Sequence, residues 1–278
     1  MPELPEVETI RRGLANCLVS FKIFRLKVYG SRVIASPGGI EQFKAGLEGS
    51  TIGTWLRRGK YLLAKLEPKR GTWGIHFRMT GRFQWCSEPI SPCRHTRVRL
   101  WNCSGQELRF VDTRNFGEMW WVQEGEPLST VITGLKRLGP EPFSERFTGN
   151  YMKQRLMNSI RPIKMALLDQ TLVAGVGNIY ADESLFAAKI SPLTASKKLT
   201  IDQLNRLRDE IVSILKTSIR TGGTTFSDFR DLEGNNGSYK RQLLVYQRGG
   251  QPCQRCGALI CRGKLSGRST HWCPDCQQ

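Results

Sequence analysis

Cys253-Gln254-Arg255-Cys256 and Cys273-Pro274-Asp275-Cys276 enclose sixteen residues, 257–272. This C-x2-C…C-x2-C spacing is that of a tetrahedral zinc site. Four thiolates from Cys253, Cys256, Cys273 and Cys276 fill the coordination sphere and leave no open position for a water molecule. One Zn2+ per chain is therefore expected, structural and not catalytic; two disulfides are the other arrangement the spacing permits. Gly263 and Gly267 suit a two-stranded hairpin between the pairs. Residues 248–278 carry five basic side chains (Arg248, Arg255, Arg262, Lys264, Arg268) against the single acid Asp275, a surface that fits a finger lying on DNA. Cys261 and His271 are taken as ordinary hairpin positions.

Upstream, 144–222 is helical in pattern. Thr200 and Gln203 form a capping box, and Ile201, Leu204, Leu207, Ile211, Ile214 and Leu215 make one apolar face, predicting a helix over Thr200–Leu215. Two shorter helices are expected at Ile163–Leu172 and Ile179–Ala188, joined by Gly175-Val176-Gly177-Asn178. Glycines let a backbone approach a ligand, and a helix N-terminus capped by Asn178 offers N–H groups to an anion such as phosphate. Gly139-Pro140 and Pro142 mark 134–143 as a hinge, and Gly234-Asn235-Asn236-Gly237 a polar loop.

The first region, 1–133, opens with Leu4, Val7, Ile10 and Leu14 at helical spacing. Strand-like runs follow at Lys22–Val28, Thr51–Trp55, Tyr61–Leu66, Gly74–Phe77, Arg97–Trp101, Glu107–Val111 and Met119–Val122, β-branched and aromatic, separated by turn residues. They predict an antiparallel sandwich behind a leading helix. The fold class is thus α+β and multidomain: a β-sandwich domain (1–133), a hinge (134–143), a helical domain (144–246) and a four-cysteine finger (247–278).

The chain has 278 residues and a formal net charge of +18, from 42 Lys+Arg against 24 Asp+Glu. That excess concentrates polyanions and points to nucleic acid or an anionic surface. No apolar run reaches the length of a membrane span, and the acidic start lacks a signal-peptide pattern. A soluble, monomeric protein is expected, cytoplasmic and nucleoid-associated in a bacterium, or in a DNA-containing compartment elsewhere. Nine cysteines, with Cys17, Cys86, Cys93 and Cys103 scattered singly, argue against a disulfide framework.

Met1-Pro2-Glu3-Leu4-Pro5-Glu6-Val7-Glu8 admits two readings. Prolines open helices. Pro2 also permits removal of Met1, which would expose a secondary amine. An α-amine has a pKa near ~7.7–8.0 against ~10.4 for lysine, so more of it is neutral and nucleophilic. With an aldehyde carbon it forms an iminium, and Glu3 stands beside it to move protons.

These elements, in this order, resemble the formamidopyrimidine-DNA glycosylase family over nearly the whole length. They are Pro2-Glu3-Leu4-Pro5-Glu6-Val7-Glu8-Thr9, Lys60-Tyr61-Leu62-Leu63, His76 with Met79 and Gly81, Asp112…Arg114…Phe116-Gly117, Gly175 to Ala181, and the finger with Arg268. The resemblance implies base-excision repair of damaged double-stranded DNA bearing 8-oxoguanine or formamidopyrimidines. It makes Pro2 the nucleophile at C1′, Glu3 a proton shuttle and Glu6 its support. Lys60 is linked to β-elimination and Arg268 to δ-elimination, with no catalytic metal or organic cofactor. Lys60, His76, Asn178 and Arg268 match phosphate-holding positions, and His95 and Arg114 match further DNA contacts. Met79, Arg114 and Phe116 resemble the wedge that fills the gap left by an everted base. The segment near 224–246 is the expected lid, and the helices around Asn178 resemble a helix–two-turn–helix element.

The chain departs from the family pattern at Arg78, Thr80 and Asn115. Ser159 and Ile160 stand where basic residues are common, with Arg161 and Lys164 expected to take over their phosphate contacts. Two other functions fit the same chemistry less fully: an oxidised-pyrimidine glycosylase, and a non-catalytic zinc-finger DNA-binding protein.

Overall fold

Apolar residues at every second position build two four-stranded antiparallel sheets in the first half of the chain. The computed structural model describes residues 1–225, 232 and 234–278. In it the leading helix α1 (Leu4–Cys17) is followed by β1 (Arg25–Val28), α2 (Gly39–Leu47), β2 (Thr51–Arg58), β3 (Tyr61–Glu67) and β4 (Gly71–His76). Then come β5 (Arg82–Cys86), β6 (Thr96–Trp101), β7 (Glu107–Val111), β8 (Glu118–Val122) and the short α3 (Leu128–Val131). One sheet runs β1-β6-β7-β5, the other β2-β3-β4-β8. Leu26, Val98, Leu100, Phe83 and Phe110 of the first sheet join Leu62, Ala64, Trp73 and Ile75 of the second in one core, with Val7, Ile10 and Leu14 of α1.

Three elements of the first unit, α2, β5 and the one-turn α3, escaped the sequence pattern. The helix α2 carries Ile40, Phe43 and Leu47 at helical spacing, but Gly38 (φ 75°) is its N-cap and makes no side-chain cap bond, so the usual start signal is missing. The strand β5 is short and follows directly on a turn. Of the run Lys22–Val28 only Arg25–Val28 pairs as a strand; Lys22 makes an isolated bridge to Thr51.

The second half supplies α4 (Gly149–Leu156), α5 (Ile163–Leu168), α6 (Asn178–Ala187), α7 (Ile201–Arg220), β9 (Cys261–Leu265) and β10 (Arg268–Trp272). The capping box forms as expected: Thr200 N–H donates to Gln203 Oε1 (2.9 Å) and Gln203 N–H to Thr200 Oγ1 (3.2 Å). The helix α5 ends four residues before its expected limit, because the Asp169 carboxylate accepts the Thr171 N–H (2.9 Å) and turns the chain. The chain divides into two units, Met1–Lys136 with Thr221–Ser238, and Arg137–Arg220 with Tyr239–Gln278. The finger therefore shares a unit with the helices, and 221–238 returns to the sandwich. The expected lid at 224–246 lies partly outside the described residues, at 226–231 and 233.

Candidate active site and nucleic-acid contacts

In the first unit, Pro2 is buried and Glu3, only 2% exposed, is the N-cap of α1. The Glu6 carboxylate accepts two backbone N–H groups, from Glu3 (2.9 Å) and from Thr224 (2.8 Å). One buried side chain thus fixes both the start of the helix and the returning segment. Gly223 (φ 80°) lies so close that an added Cβ would meet Glu6 Oε1 at 3.0 Å. One turn on, Glu8 gathers Arg11 (2.9 Å), Arg12 (2.9 Å) and Arg57 (3.3 Å). Burial raises its pKa, but these guanidinium partners outweigh burial and hold it below the usual carboxylate range.

Gly59 and Lys60 form the two-residue turn between β2 and β3, closed by the Arg58–Tyr61 pair. Tyr61 in turn pairs with His76, the last residue of β4, whose ring centroid lies 4.6 Å from the Tyr61 ring. The strand register thereby brings Lys60 and His76 to one end of the sheet's central strands. Burial, followed by the positive charges of Arg78 and Lys60, pushes the His76 pKa down to about 3. Its Nδ1 accepts the Arg78 N–H (3.1 Å). The ring is therefore neutral, with its proton on Nε2 as a donor.

Met79, Arg114 and Phe116 are exposed on two neighbouring turns. Asp112, fully buried, builds the second turn: it accepts N–H groups from Phe116 (2.8 Å), Gly117 (2.7 Å) and Arg114 (3.2 Å), and the Thr80 hydroxyl. Thr80 Oγ1 also accepts the Arg114 N–H (3.0 Å), which ties the two turns together. The Arg114 and Arg32 guanidinium carbons stand 4.8 and 5.3 Å from the Phe116 ring centroid. Arg78 is not a loose charge at the wedge; it pairs with Glu118 (2.6 Å). His95 is half-buried nearby in sequence, its Nε2 bonded by Arg94 Nε (3.1 Å) and its carbonyl by Asp112 N–H (2.9 Å).

In the second unit, Gln170 shapes the glycine turn. Its Oε1 accepts the Gly175 N–H (2.8 Å) and its Nε2 donates to the carbonyls of Val176 (2.8 Å) and Leu168 (3.0 Å). Gly177, not Asn178, is the N-cap of α6. Asn178 Nδ2 donates to the Ser269 carbonyl (2.9 Å) of the finger hairpin, while its buried Oδ1 has no hydrogen-bond partner among the described residues. Arg161 is half-exposed and paired with Asp169 (2.8 Å).

Lys164 departs from expectation. It is fully buried, with Nζ 2.6 Å from Asp182 Oδ1 and donating to the Ser269 carbonyl (2.7 Å) and Thr270 Oγ1 (2.9 Å). Its protein partners occupy the ammonium, so it positions the hairpin and is not a surface phosphate contact. Asp182 also accepts the backbone N–H of His271 (3.0 Å) and meets its ring Nδ1 (3.1 Å). Its neighbour Glu183 accepts three successive N–H groups, Leu244 (2.9 Å), Val245 (2.9 Å) and Tyr246 (2.7 Å). Neither carboxylate, nor Gln170, was signalled by the sequence; two adjacent acids in an apolar helix were the available clue.

Arg268 is exposed at the first residue of β10, after the turn Ser266 (φ 47°) and Gly267 (φ 79°), a conformation that favours glycine. The four Sγ atoms of Cys253, Cys256, Cys273 and Cys276 all lie within 4.8 Å of one another. Cys256–Cys273 at 3.4 Å and Cys253–Cys276 at 4.0 Å bracket the roughly 3.8 Å edge of a tetrahedron with 2.3 Å Zn–S bonds, and both far exceed a disulfide length of about 2.05 Å. The residues fit zinc. Gln277 anchors the cluster, accepting the Cys273 N–H (2.8 Å) and donating to the Ile190 carbonyl (2.8 Å). No described helix is long and apolar enough to cross a membrane.

Comparison with known proteins covers the whole chain. Residues 1–119 match the formamidopyrimidine-DNA glycosylase N-terminal domain, 138–230 the formamidopyrimidine-DNA glycosylase H2TH domain, and 250–278 the zinc finger found in FPG and IleRS. A formamidopyrimidine-DNA glycosylase of Parasynechococcus marenigrum is 66% identical over 277 residues, covering 100% of both chains. A solved complex of the Lactococcus lactis FPG with a FAPY-dG containing DNA matches at 36% identity with a TM-score of 0.90, covering 99% of this chain and 100% of that one. A structure of MutM with carbocyclic 8-oxo-G containing DNA matches at 36% identity and a TM-score of 0.91, covering 100% of each.

Proposed function

The chain belongs to the formamidopyrimidine-DNA glycosylase family, base-excision repair glycosylases of damaged DNA, and from that premise we propose that it works through an amine on Pro2. With Met1 removed, the Pro2 nitrogen attacks C1′ of the damaged nucleotide and the base leaves with a proton. The sugar ring opens and an iminium joins Pro2 to C1′. The iminium acidifies the C2′ hydrogen, so loss of that proton expels the 3′ phosphate by β-elimination, and δ-elimination then expels the 5′ phosphate. Oxidised purines, 8-oxoguanine and formamidopyrimidines, are the substrates.

The observation that supports this reading is the burial of Pro2 and Glu3 at the head of α1, where Glu6 accepts the Glu3 N–H and with its other oxygen holds Thr224. A nucleophile held still in a desolvated site loses less entropy on attack. Glu3 moves protons on the opening sugar. Lys60 serves β-elimination and Arg268 δ-elimination. The neutral His76 donates from Nε2 to a phosphate, and Asn178 adds a second polar contact. Met79, Arg114 and Phe116 fill the gap left by the everted base, which offsets a few kcal/mol of lost stacking. When bound, the zinc supplies structural charge that holds the finger together; the four cysteines take no part in the reaction.

Borohydride trapping on a duplex with 8-oxoguanine opposite cytosine tests the reading. The processed chain should form a covalent adduct and nick the strand, and Pro2→Gly should do neither while still binding. A wild-type chain that neither traps nor nicks this duplex overturns the proposal.

A further inference from the structure

The sheet β1-β6-β7-β5 turns one face into the core, through Leu26, Val98, Leu100, Leu108, Phe110 and Phe83. The alternate positions form its other face. There Arg25 and Lys27 of β1, Arg99 of β6, Arg109 of β7 and Arg82 of β5 stand with a single carboxylate, Glu107. Glu107 is already shared: it pairs with Arg99 (2.7 Å) and with Arg109 (2.6 Å), so one negative charge serves two guanidinium groups. Arg109 is buried under the connection to β6, where it donates to the carbonyls of Ile90 (2.8 Å) and Ser91 (3.3 Å). The open part of the face is therefore the β1–β6 pair.

On that pair the cations are held by rings. The Trp101 ring lies between Arg25 (4.2 Å to the guanidinium carbon) and Arg99 (4.4 Å). Lys27 Nζ sits 4.9 Å from the Tyr29 ring, and Tyr29 Oη accepts from Arg99 Nη1 (3.2 Å). Arg25 and Lys27 are exposed and have no carboxylate partner among the described residues. Glu48 is bonded to the backbone of β1, where it accepts the Leu26 N–H (2.8 Å). Stacked cations are preorganised, so they lose little freedom on meeting an anion. Outward residues two apart on a strand are roughly 6.8 Å apart, a step on the scale of successive phosphates.

We propose that this face binds the phosphate backbone of a second DNA segment, in a salt-labile, sequence-independent mode, while the lesion is held by the residues described above. It is a DNA surface apart from the reacting site: Pro2, Lys60 and His76 stand on α1 and on the other sheet, and the register places Arg25 and Trp101 level with Glu107, at the strand end opposite Thr96, Val111 and the Arg114–Phe116 turn. Its use is transfer between segments: a protein that grips two duplexes can pass from one to the next without entering free solution.

The test uses the full chain with its zinc, two short duplexes carrying different dyes, and energy transfer between them at low salt. The wild type should bring the two duplexes together, and added salt should abolish it. Arg25→Glu with Lys27→Glu should lose the transfer signal at least tenfold while nicking a single lesion duplex at the wild-type rate. Arg25→Gln with Lys27→Gln should show a smaller loss, with the log–log salt slope of second-duplex binding lower by about 1.8 for two phosphate contacts. No bridging by the wild type, or equal bridging by the charge-reversed chain, overturns the proposal. Loss of single-duplex nicking in the charge-reversed chain, with its fold intact by circular dichroism, also overturns it, since the face would then belong to the lesion site.

Discussion

The head of α1 and the hairpin against α6 are both organised by buried carboxylates, but to opposite ends. Glu6 accepts two backbone N–H groups and fixes Glu3 beside Pro2, the residue proposed to react. Asp182 instead takes an ammonium, an imidazole and a backbone N–H, and nothing in that cluster is exposed. The first region spends its polar groups on aiming atoms, the second on joining a helix to a hairpin. The comparison teaches that a buried lysine in a DNA-binding protein need not touch DNA: Lys164 serves the position of Ser269, and through it Asn178.

Removing the metal should separate the regions most widely. Structural zinc contributes on the order of 10 kcal/mol to a small finger. Chelation should therefore unfold 248–278 and abolish nicking, while tryptophan fluorescence, dominated by the six tryptophans of the first unit, stays nearly unchanged. A fluorescence collapse in parallel with zinc release would show that the sandwich depends on the finger. Next, Lys164→Met should destabilise the second unit by about 3–5 kcal/mol, because it strands the Asp182 charge in a dry site. Adding Asp182→Leu should restore part of that loss in a thermal melt. If Lys164→Met instead leaves stability intact and lowers the salt dependence of DNA binding, Lys164 is a phosphate contact after all.

Legibility in the sequence followed the range of the interactions. The zinc site was legible because its ligand spacing is local, and the register of β9 with β10 then brings the two cysteine pairs together. The capping box at Thr200 was equally local. The reading of Pro2 as a nucleophile rests on the family resemblance, since a proline-opened helix looks the same from sequence. The role of Glu183 was invisible, because its three partners lie some sixty residues away in a loop with no pattern of its own. Lys164 was misplaced for the same reason: its partners at 182, 269 and 270 are fixed by packing and not by spacing. The early end of α5 at Asp169 is a side-chain bond overriding an apolar period.

Glu6→Gln and Glu183→Gln sharpen the same comparison with an equal chemical change. Each replaces an acceptor oxygen by an amide NH2 facing a buried backbone N–H, at a cost of about 1–3 kcal/mol. For Glu6 the loosened groups are Glu3 and the Thr224 segment, so the rate at saturating DNA should fall about tenfold or more. For Glu183 the loosened segment is 244–246, so DNA affinity should weaken while the saturated rate holds. Equal effects of both variants on the saturated rate would erase the distinction between aiming and joining.

The smallest effect is electrostatic and belongs to His76. A histidine near 6.5 when unfolded but about 3 when folded binds its proton more readily in the unfolded chain. The stability it contributes is complete above about pH 6.5 and is lost as pH falls toward 3, at up to ~1.4 kcal/mol per pH unit. Burial and the charges of Arg78 and Lys60 cause the depression, so it reports the packing that keeps the ring neutral. His76→Gln keeps an acceptor for the Arg78 N–H and cannot titrate. Urea unfolding of the sandwich between pH 4 and 7 should therefore be steeper in pH for the wild type than for His76→Gln, by as much as that slope. Parallel slopes would mean that the folded histidine binds its proton like the unfolded one, and that below about pH 6.5 a cation stands where a neutral donor is inferred.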